Sequence, residues 1–332
     1  MTPVPDQSTS GCNAPSQAKF EAPSLSVLIP VYNWDLSALL LRILEEADAF
    51  GLWSSLEVLV LDDGSSDPAR LAGNEAWLSD HRRPGLVYTP LGRNVGRSAV
   101  RNLLAAQAQG DFLLFLDCDV LPDSDRFLRG YLERAQAGDF DVVCGGVSYR
   151  TRLLTGPEFD YHAYLGNRKE VKPAALRNQV PWRHILTSNI MVRKRVFQAT
   201  PFDERFTGYG YEDIEWGVRL ARQYRILHID NTASHLGLVS KASAYQKMCN
   251  SVPNYLLLRE LCPQAFAASA ISKLVGLLTG CRVGLLNLLD RSLKRRFLAC
   301  RDNRLAFILF QLNFAVLLAR ALKERQGAGK GT

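Results

Sequence analysis

Apolar residues along the 332-residue chain fall into two alternating rhythms. The runs "LSVLIPVYN", "LEVLVLDDGSSD" and "DFLLFLDCDV" are short, dense in Val, Leu, Ile and Phe, and end on Pro, Asp or turn residues, as buried strands do. Between them, "LSALLLRILEEADAFG" and "GRSAVRNLLAAQAQG" place apolar side chains at helical spacing and close on Gly51 and Gly110. The first strand is expected to stop at Pro30, and "DFLLFLDCDV" to be the third. Strand and helix in alternation predict crossover units. The fold class is therefore α/β, a mainly parallel sheet flanked by helices that opens to ligands at the carboxyl ends of its strands.

The two ends of the chain have other textures. Residues 1–23, rich in Pro, Ser, Gln and Ala, lack a basic start and an apolar stretch, so a loose tail is expected there and not a signal peptide or anchor. The last ~90 residues are helical in spacing and Leu-rich, with polar positions that are mainly Arg and Lys. Their most apolar stretch, Leu305 to Ala319, is broken by Gln311 and Asn313 and falls short of the ~20 residues of a membrane span. A basic amphipathic region suits an anionic leaflet; a helical hairpin packed on the main domain or a dimer partner predicts the same pattern. The expected division is 1–23 tail, 24–238 main domain (halves 24–122 and 123–238), 239–325 helical extension and 326–332 flexible tail.

A formal net charge of +7 favours an anionic partner without choosing among nucleotide, phospholipid and nucleic acid. Seven scattered cysteines, with no C-x-x-C pair, suggest neither a disulfide framework nor a zinc site and fit a reducing cytosol.

Chemistry-bearing residues gather at the strand ends. Asp117 and Asp119, at i and i+2, share one side of an extended chain and can converge on a point, which is costly unless a cation or shared proton lies between them. Pro30, Tyr32 and Asn33 follow the first strand, and Asp62 and Asp63 end the second. Tyr32 can lie against a planar base, Asp62 or Asp63 can accept from a base or ribose, and Asp119 can take a hard cation. Further on, "GYGYEDIEW" combines Gly208 and Gly210, which permit an unusual turn, with the aromatic walls of Tyr209 and Tyr211 and the acids Glu212 and Asp213. A carboxylate there can cap the helix that follows or take a proton from a hydroxyl. Of the two histidines in "ILHIDNTASHLG", His228 lies inside an alternating strand and reads as structural, whereas His235 precedes Gly237 in a turn. The segment around Trp182 is basic, which an ordinary solvated surface predicts slightly better than a wall beside acceptor or donor phosphate, and Ser188 and Asn189 could reach a sugar.

The segments "SVLIPVYN", "VLVLDDGSSD", "RNVGRSAVRN", "GDFLLFLDCDV" and "FDERFTGYGYEDIEWGVRL" stand in the order and spacing of family 2 glycosyltransferases with the GT-A fold, a resemblance that covers about residues 25 to 238. The last segment also resembles the carboxyl-terminal part of β-1,4-galactosyltransferases and chondroitin-type polymerases. The resemblance implies transfer of a sugar from a nucleotide sugar, UDP-linked, to a hydroxyl of a glycan or lipid-linked acceptor, with a divalent metal, Mn²⁺ or Mg²⁺, and no nucleic acid partner. By matching positions, Pro30, Tyr32, Asn33, Asp63, Arg97, Arg101 and Asp117 would hold the nucleotide, and Asp117 and Asp119 form a D-x-D motif with His235 as a third metal ligand. Asp213 would be the base, with Glu212 beside it, and Tyr209, Gly210 and Tyr211 would face sugar. One such base opposite the leaving group implies inversion. The implied place is the cytoplasm, peripheral on the inner face of the membrane, in bacterial surface polysaccharide synthesis. Two rivals share some features: a haloacid-dehalogenase-type phosphatase, which also uses an apolar strand ending D-x-D, and a non-catalytic scaffold at a membrane surface.

Overall fold

The computed structural model describes residues 24–263 and 270–328; the tail expected over 1–23 and the final residues 329–332 lie outside it. A seven-stranded sheet forms the centre, in the order β3-β2-β1-β4-β8-β6-β9. Its strands are β1 (Leu25–Val31), β2 (Leu56–Asp62), β3 (Leu86–Pro90), β4 (Phe112–Leu116), β6 (Val142–Cys144), β8 (Asn189–Arg193) and β9 (Ile226–His228). All pairings are parallel except those of β8, which runs antiparallel to both β4 and β6. Helices cover both faces, so the central strands are apolar on both faces, with single polar exceptions such as Ser26 in β1 and Glu57 in β2. Along β4, Phe112, Leu114 and Leu116 enter one core while Leu113 and Phe115 enter the other.

Three expectations shift. β1 runs on through Pro30 to Val31, because Val31 and the odd positions turn towards β2 while Pro30 faces the side where pairing with β4 has already ended at Leu28. The missing proline N–H therefore breaks no ladder bond. "DFLLFLDCDV" is the fourth strand in the chain, since "LVYTP" forms β3 at the sheet edge, half-exposed and without the apolar density that marks the others. The last helix is the third: α12 (Asn303–Ala328) is long and apolar enough to cross a membrane by length and composition, yet half of its most apolar window is buried inside the protein. Leu317, Leu318 and Ala319 enter a core shared with α9 (Lys241–Leu261), α10 (Ala270–Leu278) and α11 (Val283–Ala299), and Asn313 donates to Asp290. The same core includes Tyr161 of α5 (Asp160–Lys169), so the helical extension is packed on the main domain. Its outward side shows Leu288, Leu305 and Ile308 beside the exposed Arg291, Arg295 and Arg304. The six cysteines among the described residues are free.

A small second sheet, β5-β10-β7, joins the segment after the aspartates, β5 (Val120–Pro122), to β10 (Ala233–His235) and β7 (Val147–Ser148). Behind it, α1 (Ser37–Ala49) is tied to α4 (Phe127–Ala137) by one buried acid. Glu46 accepts from the backbone N–H groups of Leu128 (3.0 Å) and Arg129 (2.9 Å), capping a helix start that has no side-chain cap of its own. Glu46→Ala is therefore expected to lower stability by ~1–2 kcal/mol in urea denaturation, with Glu46→Gln losing less because its amide oxygen still accepts.

Candidate active site

The loops after β1 and β2 are built as one unit. Asn33 adopts a left-handed φ of 51° and its side-chain oxygen accepts from the N–H groups of Ser66 (2.8 Å) and Asp67 (2.9 Å). Its polar atoms are thus committed to holding the second loop, and it does not face the cleft that opens beside it. Pro30 and Tyr32 do, Tyr32 with 47% of its surface free. Of the two acids after β2, Asp62 is structural, accepting from Ser65 N–H (2.7 Å) and the Tyr88 hydroxyl (3.2 Å). Asp63 lines the cleft while accepting from Val95 (2.6 Å) and Gly96 (3.1 Å) just before α3 (Arg97–Gln107). Burial raises its carboxyl above the ordinary range despite these two bonds. Gly64, at φ 69°, crosses Arg93 and Asn94 so closely that a Cβ would overlap their backbone. The glycine of "DDGSSD" is what lets the two loops meet.

The extended-chain picture of Asp117 and Asp119 does not hold. β4 ends at Leu116 and residues 118–119 form a turn, so each acid goes to its own partner. Asp117 accepts from Arg101 Nη2 at 2.6 Å. Arg101, 2% exposed, places its other terminal nitrogen 3.6 Å from Glu212, which is equally buried at the start of α8 (Glu212–Leu220). Arg97, one turn earlier, stands 4.0 Å from the same Glu212 oxygen. Both arginines line the cleft, but Arg101 serves chiefly as a buried bridge between two acids. Next to it, Asp213 accepts from the N–H of Ile214 (2.8 Å), and its carboxyl is pushed up to about 7 by burial and then by the charge of Glu212.

The turn that presents these acids is strained. Tyr211 has φ 73°, a left-handed conformation that costs a non-glycine residue about 1 kcal/mol or more, and Gly210 before it has φ 75°. The extension holds the turn in place: Asn254 donates to the Gly210 carbonyl (2.9 Å), and Tyr255 packs edge-on against Tyr211 with ring centroids 5.2 Å apart. Tyr209, Gly210 and Tyr211 all line the cleft.

Asp119 pairs with His235 of β10, Oδ2 to Nε2, at 3.3 Å. Burial works against both charges, but each outweighs it for the other, holding Asp119 below the usual carboxylate range and His235 above the usual imidazole range. A Cβ at Gly237 would overlap this carboxylate, so the backbone there makes room for it. An oxygen and a nitrogen ligand facing each other over a glycine cradle fit a divalent cation that replaces their shared proton. The expected third member is elsewhere, since Asp117 is turned to Arg101, and among the described residues no three Asp, Glu, His or Cys groups form a ready-made cage.

Asn189 is likewise committed to structure, accepting from the Tyr131 hydroxyl (2.6 Å) and donating to the carbonyls of Gly146 and Asn231. Ser188 reaches the cleft, and Trp182 does not line it. His228 is structural as its strand pattern suggested, held by Arg177 (2.8 Å) and the Pro181 carbonyl (2.9 Å). The cleft encloses about 980 Å³ and takes in residues that sequence reasoning passed over, among them Tyr149, His162 and Glu170. Tyr149 and His162 each stand 5.7 Å, centroid to centroid, from His235. No local motif marks them. Lys247, Met248, Ser251 and Tyr255 of α9 also line the cleft and were likewise passed over, although their spacing along one helix face is a signal that could have found them.

An open α/β sheet with these loops at its carboxyl edge is a GT-A fold. The family model described as "Glycosyl transferase family 2" matches residues 26–200, more than half of the chain, and the chain belongs to that family. It is similar to an uncharacterized glycosyltransferase, YfnE, of Bacillus subtilis, 27% identical over 244 residues that make up 59% of each protein. It is also similar to the undecaprenyl-phosphate 4-deoxy-4-formamido-L-arabinose transferase of Edwardsiella ictaluri, 35% identical over 123 residues, 36% of this chain and 35% of the relative. The chain spans three fifths or less of the length of these curated relatives. Among solved structures it is similar to S. aureus TarS 1-349 in complex with UDP, with a TM-score of 0.52, 19% identity and 92% of each chain covered. The mannosyltransferase PcManGT from Pyrobaculum calidifontis, in complex with GDP-Man and Mn²⁺, matches with a TM-score of 0.52 at 16% identity over 91% of this chain and 87% of that one. At such identities the likeness is one of fold. The family match ends before Glu212 and Asp213.

Removing the bridging cation should expose how much depends on it. Arg101→Met removes the partner of Asp117 and leaves the buried Glu212 with only the more distant Arg97, and a loss of ~3 kcal/mol is expected by chemical denaturation. Arg101→Lys should recover only part, because a single ammonium cannot fork between two carboxylates.

Proposed function

We propose that the chain transfers a sugar from a nucleotide sugar, UDP-linked, to a hydroxyl of a glycan or lipid-linked acceptor, with inversion at the anomeric carbon. The observation that carries this reading is the meeting in one cleft of three strand-end loops with the start of α8, where a buried carboxyl is tuned to about 7. A general base works best with a pKa near the working pH, and few structural acids have one.

In this reading the nucleoside lies along Pro30 and Tyr32 with Asp63 beneath it, and Arg97 stands by the phosphates. Asn33 acts indirectly, by holding the loop of residues 65–67 against its own. Asp119 and His235 would hold the divalent cation, and the nitrogen ligand suits Mn²⁺ better than Mg²⁺. A cation so bound supplies positive charge to the diphosphate. Asp117 contributes through Arg101, which it holds against Glu212 beside Asp213. Tyr209 and Tyr211 offer aromatic faces to sugar rings. Asp213 takes the proton of the acceptor hydroxyl as its oxygen bonds to the anomeric carbon, and the bond from that carbon to the diphosphate oxygen breaks on the opposite face. With no second carboxylate placed as a covalent nucleophile, one displacement inverts the centre.

The acceptor class follows from the far end of the cleft, where Tyr255, Ile271, Phe310 and Phe314 make an apolar wall. Such a wall suits a lipid-linked acceptor, and the name of the Edwardsiella relative, an undecaprenyl-phosphate transferase, supports it. The exposed Leu and Arg residues of the extension suit an anionic cytoplasmic leaflet, where that acceptor would be met. The phosphatase reading is disfavoured, because its nucleophile would be Asp117, which is engaged by Arg101, and because three strand and helix units precede β4 in the chain.

Asp213→Asn keeps shape and removes basicity, so turnover should fall by ~10² or more while UDP binding persists. In the wild type the base must be deprotonated, so kcat should climb as pH rises through about 7 and lose that limb in Asp213→Asn. Wild-type turnover in the variant, or NMR evidence of a retained anomeric configuration, would count against the mechanism. Asp119→Ala should abolish the Mn²⁺-dependent part of UDP binding, measured calorimetrically, with an unchanged circular dichroism spectrum; persistence of that dependence would remove Asp119 from the metal site.

A further inference from the structure

Lys247 stands on the cleft-facing side of α9, outside the region matched by the family model. Its ammonium lies 5.3 Å from the centroid of the Tyr209 ring, and the Arg97 guanidinium lies 4.7 Å from the same centroid. One aromatic ring thus holds two cations from opposite parts of the chain. Arg97 has Glu212 at 4.0 Å. Among the described residues, Lys247 makes no hydrogen bond and has no carboxylate within ion-pair distance, so its three N–H donors are unused in a half-buried setting. Two like charges sharing one ring repel each other even as each is attracted to the ring face. An anion between them would satisfy both. Both cations and the Tyr209 ring line the same cleft as Asp119 and His235.

We propose that Lys247 and Arg97, mounted on Tyr209, form a clamp for the diphosphate of the donor, and that the helical extension thereby contributes a residue to the catalytic site. This rests on the nucleotide-sugar reading above and deepens it. As the bond between the anomeric carbon and the diphosphate oxygen breaks, its electron pair leaves with the diphosphate, and the clamp faces the oxygens on which that charge grows. Among the described residues Asp119 and His235 come together as two cation ligands, and fixed cations on the other side of the diphosphate complement them. Tyr209 acts here as a positioning residue, which gives the aromatic side chain of "GYGYED" a role other than stacking on sugar.

The test uses the full chain with Mn²⁺ and measures, by calorimetry, the binding of UDP, UMP, uridine and inorganic pyrophosphate to the wild type, Lys247→Met and Lys247→Arg. Thermal midpoints establish that each variant is folded. For Lys247→Met the expected result is a loss of UDP and pyrophosphate affinity on the order of tenfold to a hundredfold, with uridine unchanged, UMP affected less, and most of the loss recovered in Lys247→Arg. Unchanged UDP and pyrophosphate affinity in Lys247→Met would overturn the clamp, as would an equal loss for uridine. Unchanged UDP affinity with a raised KM for a phosphate-bearing acceptor would assign the cation to the acceptor and likewise overturn the donor assignment. If the wild type binds pyrophosphate in a Lys247-dependent way but none of UDP, UMP or uridine, the UDP reading fails and the clamp stands. If it binds neither pyrophosphate nor UDP, both fail.

Discussion

The site depends on one buried guanidinium. Arg101 bonds to Asp117 at the end of β4 and pairs with Glu212 at the start of α8, two points 95 residues apart in the chain that would repel if left facing each other. Burying a carboxylate costs several kcal/mol unless a charge partner answers it, and here one cation answers two. That arrangement has a chemical consequence. Arg101 and Arg97 hold Glu212 beside Asp213, and burial together with the charge of Glu212 pushes the Asp213 carboxyl upward. The buried ion pair and the raised Asp213 carboxyl are two outcomes of the same contact.

The second dependence runs through the helical extension. The turn at Gly210 and Tyr211 carries backbone strain, and strain of this kind persists only where the surroundings over-determine it. Asn254 and Tyr255 do so from α9, by a hydrogen bond to the Gly210 carbonyl and a ring contact worth about 1 kcal/mol. The extension is thus neither an accessory hairpin nor a tether alone. It closes the cleft, positions the loop bearing the acids and supplies Lys247 to the interior.

Loop crossings made possible by small residues set the remaining geometry. Gly64 lets the loop after β2 pass under the one before α3, and Gly237 lets the turn after β10 pass under Asp119. In both places backbone comes close to an acid-bearing segment, and a methyl group would force the two apart.

Much of this was legible in the chain. The apolar runs marked β1, β2 and β4 because strands covered on both faces need no polar alternation, and the order of the motifs identified the family. The same logic overlooked β3, whose edge position asks for little burial. Glu212, Asp213, Asp119 and His235 stood out as candidates for chemistry, since acids and an imidazole recur after apolar runs in that order. What the sequence could not decide was which of these groups faces which. Asn33 and Asp62 look as suited to a ligand as Tyr32 and Asp63, yet their polar atoms are used up by neighbouring backbone and hydroxyl groups. Asp117 and Asp119 are two positions apart and go to different partners, because the chain turns between them and the nearest cation and imidazole come from α3 and β10. Lys247 carried no motif at all. Local pattern reports how a segment meets its own backbone and the core, whereas pairing of charges across ~100 residues depends on distances that exist only once the sheet, α8 and α9 are packed together.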